Sequence, residues 1–318
     1  MVNNALIGFS GFVGSIISKQ ENFSYIYNSK NIDDIKWHYF DQVVCAAAPA
    51  TMWAANQHPE ADQANLNHLI ANLRTIKAKR FVLISTIAVL DDMSVGYTEV
   101  NARYEQNKAY GRHRRELEER LAEQFAHCHI LRLPALFGPG LKKNFIFDLL
   151  NPVPSFIKPD RFTALAGDFT HAEMALLDQF YTFDAQLKMW GLARTRLQAA
   201  PERVAFEAAF ERIGFTARNF TNSASQFQFY NVQRLGADIK TAVDAGLEQV
   251  NICSEPLEAA HICRELTGRP FSNDAPLLVR EDMRSIHADV FGGHAPYLFS
   301  RDMVMEDLKA FFKAEATT

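Results

Sequence analysis

The sequence predicts an α/β protein, a doubly wound parallel sheet with a smaller, mostly helical C-terminal lobe. Three observations carry that expectation. Short apolar runs alternate with helix-period segments over the first 140 residues. The run Phe81-Val82-Leu83-Ile84 is of the continuously apolar kind that a strand buried on both faces requires. The first run, Ala5-Leu6-Ile7, passes through Gly8-Phe9-Ser10-Gly11-Phe12-Val13-Gly14 directly into a helical pattern at Ser15-Ile16-Ile17.

Taken in order, residues 23–28 read as a second strand and 40–48 as a third, running into the small residues Ala46, Ala47 and Ala48. Residues 59–76 are helical, with Leu66, Leu69, Ile70 and Leu73 at spacings of three and four. A strand at 81–84 precedes a polar loop over 91–108. A charged helix over 110–126 follows, with Leu117, Leu121 and Phe125 on one face. Residues 129–133 form the next strand. The pattern changes at Gly138-Pro139-Gly140. Residues 151–160 are punctuated by prolines, and 170–211 read as mostly helical, broken near Pro201. Strands are expected again at 226–232 and 250–253, and helices at 239–245, 255–267 and 303–313. This divides the chain into a first domain, 1–140, completed by the strands near 226–253, and a largely helical lobe within 141–318.

Composition narrows the function classes. With 318 residues, 48% of them hydrophobic, the chain can bury a sizeable core. A net charge of −4 argues against a dedicated nucleic-acid binder. No apolar run approaches the roughly 18–20 residues of a membrane span, and no charged leader with an apolar signal region precedes the first strand. A soluble cytoplasmic protein is the expectation. Cys45, Cys128, Cys253 and Cys263 are scattered without a C-x-x-C pair, so buried free thiols are expected rather than a zinc site. No His, Cys, Asp and Glu cluster has metal-ligand spacing.

The glycine turn has a physical reading of its own. Gly8 allows a sharp turn with positive φ, Gly11 lets a phosphate approach backbone without meeting a Cβ, and Gly14 lets helix and strand pack closely. The helix N-terminus behind them offers unpaired N–H groups to an anion. A tight surface turn is the alternative for such a motif alone.

Further landmarks follow in order: Asp41-Gln42-Val43-Val44-Cys45-Ala46-Ala47, then Asn65, then Ile84-Ser85-Thr86, Tyr110-Gly111-Arg112-His113-Arg114 with Glu118, and Arg132-Leu133-Pro134-Ala135-Leu136-Phe137-Gly138-Pro139. With the glycines, this series resembles the extended short-chain dehydrogenase/reductase family, also called the NAD-dependent epimerase/dehydratase family. The resemblance covers residues 5–140, weakens over 226–268 and is hardly visible between 145 and 220. It implies a Rossmann-type sheet and NAD(P) as cofactor. It further implies cofactor contacts at Gly8 to Gly14, at Asn28, Ser29 and Lys30, at Ala46, Ala47 and Ala48, and at Ser85, Pro134 and Phe137. Pro134 and Phe137 are equally compatible with core packing. Thr86 and Tyr110, two dozen residues apart, stand in the catalytic Ser/Thr and Tyr places, with Ser85 as support. The family has a Lys four residues after that Tyr; this chain has Arg114, which keeps the charge and can hydrogen-bond a ribose but cannot release a proton. The implied substrate is a small molecule, a sugar or nucleotide sugar, acted on by oxidation, reduction, epimerisation or dehydration. A cofactor-binding protein of low or no activity, with a binding or regulatory role, is the alternative that the Arg114 departure favours. A homodimer is left open.

Cofactor choice is read after the second strand. An acid there would bind the ribose hydroxyls and repel a 2′-phosphate. Asn28-Ser29-Lys30 contains none, which favours NADP over NAD. A second Tyr-x-x-x-Lys, Tyr104 to Lys108, sits too close to Thr86 and lies in a polar stretch without a following apolar face. His113 is expected on a helix surface, and His127 and His129 as structural residues flanking a strand.

Overall fold

The computed structural model describes residues 3–185 and 187–316. The outer limits of the two expected domains, residues 1 and 318, lie outside them. In chain order the elements are β1 (Asn4–Ile7), α1 (Phe12–Gln20), β2 (Tyr25–Tyr27), β3 (Tyr39–Cys45), α2 (Met52–Gln57), α3 (Pro59–Leu73), β4 (Lys77–Thr86), α4 (Ala109–Gln124), β5 (Cys128–Leu133) and β6 (Ala135–Phe137). Then come α5 (Phe145–Leu150), β7 (Phe156–Ile157), α6 (Pro159–Ala164), α7 (His171–Phe180), β8 (Tyr181–Asp184), β9 (Met189–Leu192), α8 (Arg194–Gln198) and α9 (Arg203–Arg212). The chain closes with β10 (Gln226–Phe227), β11 (Phe229–Asn231), α10 (Leu235–Asp244), β12 (Gln249–Asn251), β13 (Leu257–Glu258), α11 (Ala259–Thr267) and α12 (Arg301–Ala316).

Two compact units result. The first comprises residues 3–141, Gln226–Glu258 and Val279–Ala314; Lys142–Ser225 and Ala259–Leu278 make up most of the second. At the centre of the first lies a six-stranded sheet in the order β12-β5-β4-β3-β1-β2, parallel throughout. The apolar runs of its middle strands are buried, as a sheet covered on both faces requires: Val43, Val44, Phe81, Val82 and Leu131 are inaccessible to solvent. From β1 the chain steps to β2 on one side and β3 on the other. The crevice beyond the carboxyl ends of β1 and β3 is therefore the topological switch point, where open α/β sheets bind ligands.

Two expectations change here. The strand expected at 226–232 is broken, and neither half joins the central sheet. β10 pairs antiparallel with β13, and β11 pairs in parallel with β6. The break is at Gln228, which is fully buried. Its backbone N–H donates to Glu281 and its side-chain amide bridges Ser254 and Met283, so it cannot continue a ladder. The strand near 250 does join the central sheet, against β5. The four cysteines are buried and free, and burial pushes the Cys45 thiol up to about 11 and the Cys128 thiol to about 12.

The second unit departs from the mostly helical expectation over 170–211. Between α7 and α8 lie β8 and β9, an antiparallel pair that β7 extends to three strands. Tyr181, Thr182, Phe183 and Trp190 are aromatic or β-branched, the composition that suits a strand. Each strand is only four residues long, too short for periodicity to separate it from helix. The core of this unit is rich in phenylalanine: Phe162 stacks on Trp190 with ring centroids 4.0 Å apart, and Phe206 meets Phe210 edge-on.

Candidate functional site

At the end of β1, Gly8 adopts φ +90°, a region that disfavours any side chain. A Cβ there would lie 2.9 Å from the Ala47 Cα, so the β1 and β3 turns touch backbone to backbone. A Cβ on Gly14 would lie 2.7 Å from the Gly8 carbonyl carbon; only glycine lets α1 start this close to β1. Gly11 differs. It is the N-cap of α1, its backbone is extended, and an added Cβ would meet only the Gly8 oxygen, at 3.4 Å. No side chain caps α1, so its first N–H groups keep their capacity for an anion. This cradle fits a dinucleotide pyrophosphate. Phe9, Phe12 and Val13 are half-buried and Ser10 is exposed around it, with Ala46, Ala47 and Ala48 half-buried at the end of β3.

After β2, the Asn28 and Asn31 side chains tie the turn: Asn28 Oδ1 accepts from the Lys30 N–H at 2.9 Å, and Asn31 Oδ1 from the Asn28 N–H at 2.7 Å. Ser29 and Lys30 stand exposed on it. Pro134 is buried between β5 and β6. Phe137 is 1% exposed and packs on Phe311, so it serves the core, one of the two roles left open for it. Arg234, a basic residue of α10's N-cap, is engaged by Asp307 at 2.8 Å.

The second part of the site is built on α4. Six of its buried positions, Tyr110, His113, Arg114, Leu117, Glu118 and Leu121, recur at steps of three and four and form one stripe. Four of the six bear a polar group. The helix start is fixed by side chains: Glu105 accepts from the Asn107 and Lys108 N–H groups at 2.7 and 3.1 Å, and Asn56 of α2 accepts from the Tyr110 N–H at 2.9 Å. A Cβ on Gly111 would come within 2.9 Å of the Glu105 side chain and would collide with the Ala88 carbonyl. This glycine lets α4 settle onto the turn that follows β4, which brings the Tyr110 phenol within electrostatic reach of the Thr86 hydroxyl.

Arg114 lies one turn on, its guanidinium carbon 4.0 Å from the Tyr110 ring centroid. The expectation that it presents a hydrogen bond to a ribose meets a different geometry. It is 2% exposed, both its Nη atoms are held by the Asp62 carboxylate, and Nη2 also donates to the Pro49 carbonyl at 2.5 Å. A buried guanidinium needs a counter-ion, and Asp62 supplies it. His113, expected on the surface, is likewise buried, with Nδ1 2.8 Å from Asp62. Burial pushes the Asp62 carboxyl up, but hydrogen bonds from Arg114 and His113 outweigh that and hold it below the usual carboxylate range. Burial likewise raises the Tyr110 phenol; the Arg114 charge and the Thr86 hydroxyl pull it down, the Asp62 charge raises it further, and the net direction is up.

Ser85, next to Thr86, points its hydroxyl elsewhere: it donates to Glu118 at 2.6 Å. Glu118 also receives Arg132 through two nitrogens, at 2.9 and 2.7 Å, and Arg115 at 3.0 Å. Glu118 and Arg132 are inaccessible to solvent. Tyr104 belongs to this cluster, with Arg115 3.8 Å from its ring centroid; it precedes α4, whereas Lys108 is exposed at the N-cap. The two therefore do not form a Tyr–Lys pair on one helix. Glu118→Gln is expected to destabilise the first unit by about 3–5 kcal/mol, because it leaves Arg132 charged and buried. Denaturant unfolding measures this, and a loss below about 1 kcal/mol would contradict it. His129 lies within β5, buried, with Nδ1 2.7 Å from the Leu247 carbonyl.

Asn56 and Asp62 are functional candidates that sequence reasoning missed, and His113 is one that it placed on the helix surface. For Asp62 a signal exists: the apolar stripe Leu66, Leu69, Ile70 and Leu73, traced back one turn, puts a carboxylate on the buried face of α3. Extending the Leu117 and Leu121 stripe of α4 backwards finds His113 and Arg114 in the same way.

No protein-family model matches the sequence, and no curated protein matches it. Solved structures do match. A UDP-N-acetylglucosamine 4-epimerase from Methanobrevibacter ruminantium, in complex with UDP-N-acetylmuramic acid, superposes with a TM-score of 0.61 at 13% identity, over 98% of this chain and 97% of that one. This chain shares the Rossmann-type α/β fold of that epimerase. A dTDP-4-dehydrorhamnose reductase from Bacillus anthracis, in complex with NADP, gives 0.59 at 12% identity over 99% of both chains. A UDP-glucose 4-epimerase from Thermotoga maritima, with UDP-glucose, gives 0.58 at 13% over 98% of both. At these identities the likeness is one of fold. Among the described residues, no group of His, Cys, Asp and Glu could hold a metal ion, and no helix is long and apolar enough to cross a membrane.

Proposed function

We propose that this protein is an NAD(P)-dependent oxidoreductase, epimerase or dehydratase acting on a sugar or nucleotide sugar, with Tyr110 as the proton-transfer group and Thr86 beside it. The observation that carries the reading is the Thr86–Tyr110 pair at the carboxyl end of β4, in the same sheet whose β1 ends in an uncapped glycine cradle. The bound nicotinamide would supply or accept a hydride at carbon. The chain's own work is then to move the matching proton: the Tyr110 hydroxyl exchanges it with a substrate oxygen, and Thr86 orients that oxygen. Arg114 lies over the Tyr110 ring, and Asp62 and Pro49 hold its Nη donors. The complexes with NADP and with UDP sugars among proteins of this fold support the cofactor and substrate classes. Turnover of a nucleotide-sugar panel with both dinucleotides, against Tyr110→Phe, tests the reading.

A second reading, dinucleotide binding with little or no turnover, is favoured by the same Arg114 geometry, because a cation neutralised by Asp62 lowers a phenol pKa less than a free one. Dinucleotide binding without turnover of any of these substrates would select it.

Calorimetric titration is expected to give tighter binding of NADP than of NAD. Ser29 and Lys30 are exposed on the turn after β2, and no acid stands there to repel a 2′-phosphate. Tighter binding of NAD would refute the preference.

A further inference from the structure

We infer that Asp62 is the positioning residue of the Tyr110 site: it holds Arg114 over the Tyr110 ring and cancels its charge, so that Tyr110 stands as a protonated phenol, a proton donor, instead of a phenolate. The inference rests on the reading of Tyr110 as the proton-transfer group and extends it to a residue on a different helix.

The geometry is closed. Asp62, His113 and Arg114 are each no more than 5% exposed. Both Asp62 oxygens are engaged by Arg114, and Oδ2 is also 2.8 Å from His113 Nδ1. A carboxylate only accepts, so that ring nitrogen carries the proton. Arg114 Nη1 lies 3.5 Å from the Tyr110 carbonyl, and its Nε is buried with no partner. The guanidinium is therefore clamped in place, and its charge is spent on the carboxylate. Arg114 of the same helix lies over the Tyr110 ring, Thr86 at the end of β4 and Asp62 of α3 also act on the phenol, and Asn56 of α2 takes its backbone N–H. Burial is the largest effect; the Arg114 cation lowers the phenol, the Asp62 anion offsets part of that, and the net direction favours the neutral phenol. A neutral phenol suits reduction: a carbonyl whose carbon receives a hydride from a reduced nicotinamide dinucleotide takes its oxygen's proton from Tyr110. The product is a hydroxyl, and the phenolate is reprotonated from solvent.

The test needs neither substrate nor cofactor. Tyrosine labelled with carbon-13 at Cζ reports each phenol's ionisation by NMR, and Tyr110→Phe identifies the signal. In the otherwise unaltered protein, Tyr110 is expected to remain protonated up to about pH 10, the ordinary tyrosine value, and beyond it. Asp62→Asn is expected to bring its titration down by about one pH unit or more, and Arg114→Gln to move it up. The double variant Asp62→Asn/Arg114→Gln, which removes both charges, is expected to return it close to its original position. Should Asp62→Asn not fold, Arg114→Gln and the double variant still decide. A Tyr110 that titrates clearly below 10 overturns the inference. So does a titration indifferent to Asp62→Asn, or a double variant that stays with Arg114→Gln. Failure of every nucleotide sugar to turn over would sink the enzymatic reading and leave this titration as it stands.

Discussion

Tyr110→Phe is expected to lower turnover by about 10²–10⁴-fold, the usual contribution of a positioned acid or base, while dinucleotide affinity stays within a few-fold. The substitution removes one hydroxyl and keeps the ring on which Arg114 lies. The direction of the reaction sets the pH dependence. Burial, ahead of the Arg114 and Thr86 effects, raises the phenol above its ordinary value. Carbonyl reduction, which uses the protonated form, should hold its rate through neutral pH and fall only as the phenol ionises. Alcohol oxidation, which uses the phenolate, should rise with pH over the same range. Steady-state rates in both directions from pH 6 to about 10.5, the latter just past the ordinary phenol value, give the two profiles. Tyr104→Phe is the matched control. Tyr104 packs on Arg115 and receives Arg132 at 3.4 Å, so its hydroxyl belongs to the Glu118 cluster. Equal losses from the two substitutions would remove Tyr110 from its role.

What was legible in the chain, and what was not, divides along physical lines. The β1–turn–α1 unit is legible because its glycines answer local demands that no other residue meets, a positive φ at Gly8 and a helix set against a strand at Gly14. The middle strands are legible because burial on both faces forces a continuous apolar run. The Tyr110 spacing from Thr86 survives because both sit at the ends of regular elements. The partners of Arg114 are another matter. Asp62 is 52 residues away in sequence, on a helix whose apolar stripe shows which face is buried but not what that face will meet. The four-residue strands β8 and β9 fall below the length at which a period can be counted. The broken strand at Gln228 depends on Ser254, Met283 and Glu281, contacts that exist only once the chain has folded. A related limit explains Ser85 and Thr86. Adjacent strand residues differ in which neighbour they reach, and the neighbour that claims Ser85 is Glu118.

Gly11→Glu is expected to abolish dinucleotide binding without unfolding the protein, and it separates the role of the glycine cradle in binding from its role in folding. The backbone at Gly11 has φ −78° and ψ 170°, a conformation open to any residue, and a Cβ there would only touch the Gly8 oxygen at 3.4 Å. A carboxylate at the N-cap of α1 is even favourable for the helix, since it faces the positive end of the dipole. It also stands where a pyrophosphate would meet the uncapped N–H groups, and opposes that ligand's charge; a like-charge contact costs several kcal/mol, more than a hundredfold in affinity. The neighbouring glycines are expected to behave differently. Gly14→Ala forces a Cβ to 2.7 Å from the Gly8 carbonyl carbon and 3.0 Å from the Phe9 Cα. Both contacts are with backbone, which cannot rotate away, so this substitution should reduce thermal stability as well as binding. Calorimetric titration of NAD and NADP, paired with thermal unfolding of each variant, distinguishes the two effects. If Gly11→Glu folds and binds either dinucleotide with unchanged affinity, the cofactor does not lie over the N-terminus of α1.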